Sequence, residues 1–144
     1  MSEQTKTKEE WYDECVALQQ GGDLGAAVGE LKRLLEVYPD YGLAHMALAV
    51  FYQEKGDDEG TLGEMQRACE LEQDDPFYFT AFSSLAIKCG NHELAEAALM
   101  KAQEARFEAQ LRKMDELRKK DLKERVAESE ASDAESADAA SEND

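Results

Sequence analysis

Residues 15–31 read CVALQQGGDLGAAVGEL, residues 49–65 read AVFYQEKGDDEGTLGEM, and residues 83–99 read SSLAIKCGNHELAEAAL. Placed one above another at a spacing of 34 residues, they align Gly22-Asp23 with Gly56-Asp57 and with Gly90-Asn91. Ala27, Thr61 and Ala95 then coincide, as do Leu31, Met65 and Leu99, and Leu34, Ala68 and Ala102. Cys15, Ala49 and Ser83 share a further position. Small residues meet small and large meet large, which marks an internal repeat and decides the architecture before any single element is assigned.

The local chemistry says what is repeated. Residues Trp11 to Gln20, Ala44 to Lys55 and Phe77 to Cys89 are rich in helix formers, carry apolar residues three or four apart, and each run ends at glycine. Glycine tolerates the left-handed conformation that closes a helix. Asp23, Asp57 or Asn91 follows, a side chain suited to capping the free N–H groups of a new helix. Each unit is therefore predicted to be a helical hairpin. The recurring small residues belong where the two helices cross closely, and the recurring Leu or Met fills the space between successive hairpins.

With Trp11, Gly22, Ala27, Leu31 and Pro39, this 34-residue helix-turn-helix resembles the tetratricopeptide repeat (TPR). The resemblance covers residues 8–41, 42–75 and 76–109. Departures are local: Glu14 and His45 stand where the family usually has large apolar residues, Thr61 replaces an alanine, and only the first repeat ends in proline. Glu14 is expected to face water, since no hairpin precedes it. The expected fold is all-α, a right-handed α-solenoid of three TPR hairpins behind a disordered stretch at 1–7.

Between Asn91 and Asn143 there is no Gly or Pro, and residues 92–126 are mostly strong helix formers. A C-terminal capping helix is expected over 110–126, its apolar stripe begun by Phe107, Leu111 and Met114. Arg118 and Arg125 interrupt that stripe, so the alternative is a projecting helix through which a monomeric chain self-associates weakly over 107–126. Residues 127–144 hold only Ala, Ser, Asn and acids, and disorder is expected there. Three roles stay open for this tail: a solubilising extension, a lure for a basic partner, and a strap lying on the basic stretch Arg112 to Arg125.

The chain has 144 residues, with 33 acidic and 16 basic side chains for a net charge of −17. Residues 1–100 hold 20 acidic and 7 basic groups, residues 101–126 hold 6 and 9, and the tail holds 7 acids and no base. So acidic a body repels phosphate, which argues against nucleic acid and anionic membranes as partners. No long apolar run and no secretory leader pattern occurs, so a cytoplasmic protein is expected. Three cysteines cannot all pair within one chain, and none has CxxC spacing. His92-Glu93 begins like a zinc-protease motif, but Glu96 stands where the second histidine belongs. No enzyme activity, metal or cofactor is expected.

Protein binding remains. The resemblance implies that the second, fifth, ninth and twelfth positions of each repeat face a concave groove: Glu9, Tyr12, Val16 and Gln19; Leu43, Met46, Val50 and Gln53; Phe77, Thr80, Ser84 and Ile87. This set is mostly apolar. The charge clamp by which some TPR domains hold an acidic C-terminus is absent, its places being taken by Tyr12, Val16, Ala47, Phe77 and Ala81. The expected ligand is an apolar or amphipathic segment with basic flanks, bound by an adaptor or scaffold. The alternative is a small chaperone, because residues 75–102, DPFYFTAFSSLAIKCGNHELAEAALMKA, are similar in style to the last repeat of three-repeat TPR chaperones of bacterial secretion substrates.

Overall fold

A computed structural model describes residues 6–142, with side chains to residue 137. The described chain is all-helical: α1 (Lys8–Gln20), α2 (Leu24–Val37), α3 (Gly42–Lys55), α4 (Asp58–Leu71), α5 (Pro76–Lys88) and α6 (His92–Glu142). The expectation of disorder at 1–7 falls mostly on residues outside the described ones. Residues 6 and 7 precede α1, and Thr7 caps it by accepting from the Glu10 N–H at 3.1 Å.

The hairpin turns follow from the repeated dipeptide. Gly22, Gly56 and Gly90 take φ of +90°, +82° and +77°, the left-handed region that a side chain opposes. Asp23, Asp57 and Asn91 then accept from Ala26, Gly60 and Leu94 N–H groups at 3.1, 2.9 and 3.0 Å, starting α2, α4 and α6. Pro76 opens α5 at a position where its missing N–H costs nothing, and Asp75 caps that helix by accepting from the Phe77 N–H.

The chain divides into two units at Arg106 and Phe107. The first is an α-solenoid in which α1 pairs with α2, α2 with α3, α3 with α4 and α4 with α5. Its core lies in two clusters. One joins Cys15, Ala27, Val28, Leu31, Leu34, Ala44, Ala47, Leu48 and Phe51. The other joins Ala49, Met65, Ala68, Cys69, Tyr78, Phe82, Leu85, Ala86, Ala95 and Ala98. Leu31 and Met65 are fully buried, and the small residues Ala27, Thr61 and Ala95 are buried at their shared repeat position. The hydroxyl of buried Thr61 donates to the Asp57 carbonyl at 2.7 Å, which is how a threonine fits a place suited to alanine. Glu14 is exposed and paired with Lys6 at 2.7 Å, as a water-facing end position should be.

The second unit corrects one expectation. Residues 110–126 do not form a separate capping helix; they continue α6 without a turn, and Phe107, Leu111 and Met114 are exposed. From residue 92 to 126 the chain offers no Gly, Pro or capping sequence that would stop a helix, so the last repeat helix runs on where a turn was expected. The described backbone continues α6 to Glu142. Ion pairs four residues apart, Lys119–Asp115 at 3.4 Å and Arg125–Asp121 at 3.3 Å, run along this exposed helix.

Candidate functional site: the face shared by α1, α3 and α5

The first helix of each hairpin carries the expected groove residues, and adjacency brings those helices together. α3 packs on α5, and Gln19 of α1 donates to the Glu54 carboxylate of α3 at 3.1 Å. None of the twelve residues is buried. Val50, Phe77 and Ile87 are 37%, 58% and 54% exposed, large apolar side chains in open water. Tyr12, Val16, Gln19, Leu43, Met46, Gln53 and Thr80 are half-buried, while Glu9 and Ser84 are exposed.

Their roles in the fold differ. Met46 packs against the second core cluster and Tyr12 against the first, so both serve packing as well as surface. Gln19 is engaged with Glu54, and the Thr80 hydroxyl donates to the Pro76 carbonyl at 3.1 Å while accepting from the Arg106 guanidinium at 3.1 Å. The least committed apolar residues are Val50, Phe77 and Ile87. Phe77 meets Tyr78 edge-on, with ring centroids 5.8 Å apart, and Tyr78 is buried.

Three residues of this surface escape the repeat positions. Tyr41 precedes α3 and tilts against Tyr12 at 6.0 Å, while the Lys8 ammonium sits 4.8 Å over the Tyr41 ring. Arg106 reaches Thr80 from α6. Tyr41 could be found by asking which aromatic immediately precedes a groove helix. Arg106 lies 26 residues from Thr80, and no local spacing marks it.

The thiols are poor nucleophiles. Burial pushes Cys15 up to about 11 and Cys69 up to about 12, and the Cys69 Sγ lies 3.4 Å from the Tyr78 carbonyl, to which it donates. Cys89 is half-buried and raised by burial and by its hydrogen bond with Asp58. Among the described residues no group of three or more His, Cys, Asp or Glu side chains could hold a metal, and no helix is long and apolar enough to cross a membrane.

Neither a family model nor a curated protein matches the sequence. Solved structures do match the fold. A crystal structure of MamA superposes with a TM-score of 0.64 at 16% identity, covering 72% of this chain and 60% of that one. A second MamA crystal structure gives 0.63 at 18% identity over 71% of this chain and 56% of that one. A mutant O-GlcNAc transferase of Thermobaculum terrenum gives 0.60 at 21% identity over 71% of this chain and 21% of that one. These are TPR-containing proteins, and at such identities the likeness is one of fold: a TPR-like α-solenoid. The chain spans less than two thirds of the length of each of these structures.

Proposed function

We propose that the protein is a non-enzymatic interaction module that binds an apolar or amphipathic, basic-flanked segment of a protein partner on the face shared by α1, α3 and α5. One observation carries this reading. On a chain of net charge −17, Val50, Phe77 and Ile87 stand exposed on two adjacent helices at the expected groove positions, and Leu43, Val16 and Met46 at further groove positions are half-buried. Large apolar side chains left exposed on so charged a protein are costly to keep in water, and this supports reading the face as a place for a partner. Exposed acids at Glu9, Asp13 and Glu54 on the same helices favour basic flanks in the ligand. The TPR-like fold supports the general class, since stacked hairpins present an extended surface for chains to lie along.

The test is affinity capture with the full chain, comparing wild type with a Val50→Glu, Phe77→Glu variant. Both side chains are exposed, so helicity should be unchanged while a partner is lost. Met46 is the poorer target because it also packs on the core. Proteins retained equally by both forms would place binding elsewhere. A captured partner already folded on its own makes the module an adaptor; one that precipitates without it makes the module a chaperone.

A further inference from the structure

His45 lies on α3 beside Met46, and both of its ring nitrogens face oxygen acceptors. Nδ1 is 2.7 Å from Glu64 Oε2 on α4, and Nε2 is 2.8 Å from the carbonyl oxygen of Pro39 in the turn between α2 and α3. A carboxylate and a carbonyl only accept. Neutral imidazole has one N–H, so only the imidazolium can donate to both at once. The side chain is 12% exposed, which leaves water little room to replace a lost partner.

The charged groups acting on the ring are Glu64 and Arg67, both from α4. Arg67 opposes protonation but is itself drawn off by Asp40 at 3.6 Å and Glu70 at 3.4 Å. Among the described residues, no charged group of α2 or α5, which also pack on α3, enters that set. The turn that His45 holds leads directly into Tyr41, the ring that rests on Tyr12.

We propose that His45 is a proton-dependent brace on the α2–α3 turn. Protonated, it ties Pro39 and Glu64 to α3. On losing a proton it keeps Nδ1–H on the stronger acceptor, the Glu64 carboxylate, and turns the bare Nε2 lone pair on the Pro39 carbonyl, which is repelled. The turn carrying Tyr41 then loses its anchor. The brace stands on its own geometry; only its effect on a ligand beside Tyr12 rests on the groove reading.

Burial works to lower the pKa of His45, but its hydrogen bonds with Glu64 and Pro39 outweigh burial and raise it above the ordinary histidine value. A group whose pKa rises on folding stabilises fully below its unfolded value, about 6.5, and that stability is lost as pH climbs through the folded pKa.

An NMR titration of the full chain tests this, following the His45 ring nitrogens and the Asp40 amide, whose nitrogen is bonded to the Pro39 carbonyl carbon. The expected midpoint lies above about 6.5, the high-pH ring carries its proton on Nδ1, and the Asp40 amide moves with the same midpoint. Glu64→Gln should lower both midpoints together, and His45→Gln should flatten the Asp40 response. A His45 midpoint at or below about 6.5, or an Asp40 amide that ignores the ring, overturns the brace. Because no ligand enters this experiment, failure of the groove reading would leave its outcome unchanged.

Discussion

The two edges of the solenoid are finished differently. At the first edge, the position that Leu48 and Phe82 bury in the second and third repeats is held by Glu14, exposed and paired with Lys6. At the last edge, the position that Leu31 and Met65 fill at 0% exposure is held by Leu99 at 43%. Repeat proteins need polar outer faces on their end units, because each apolar seam is sealed only by the next hairpin. The first repeat has made that exchange. The third has kept the interior residue, so its sequence alone looks like that of a middle repeat.

Truncation should separate the two kinds of position most sharply. Leu31→Ala or Met65→Ala removes a fully buried side chain and should cost about 2–5 kcal/mol, whereas Leu99→Ala at the open edge should cost under about 1 kcal/mol. Denaturant unfolding of the three variants measures this, and equal losses would mean that Leu99 is sealed in solution. A smaller effect is expected at the turns. A side chain at Gly56 meets nothing within 4 Å, so Gly56→Ala should cost only the left-handed backbone conformation, about 1–2 kcal/mol. A neutral result there would break the claim that the glycine is required by φ rather than by space.

Much of the fold is legible because its determinants are local. The Gly-Asx turns and the caps from Asp23, Asp57 and Asn91 each depend on residues a few places apart. The end of the last repeat is not legible in the same way. Helix formers without a stop signal define no boundary, so composition places a break near residue 110 where α6 is uninterrupted. The candidate surface divides similarly. The repeat register finds the exposed Val50, Phe77 and Ile87, but gives no weight to their different degrees of commitment to the core. Arg106 on Thr80 and Glu64 on His45 are joined by helix packing across 26 and 19 residues, and Pro39 meets His45 through the fold of the α2–α3 turn; no periodicity encodes those meetings.

The central claim is that one face of the solenoid binds and the other does not. A photo-crosslinking residue placed at Val50 on α3, or at exposed Gln66 on α4, tests it in the full chain under otherwise identical conditions. Adducts to a partner from position 50 and none from position 66 are the predicted result. Equal yields from both, or adducts from position 66 alone, would contradict it.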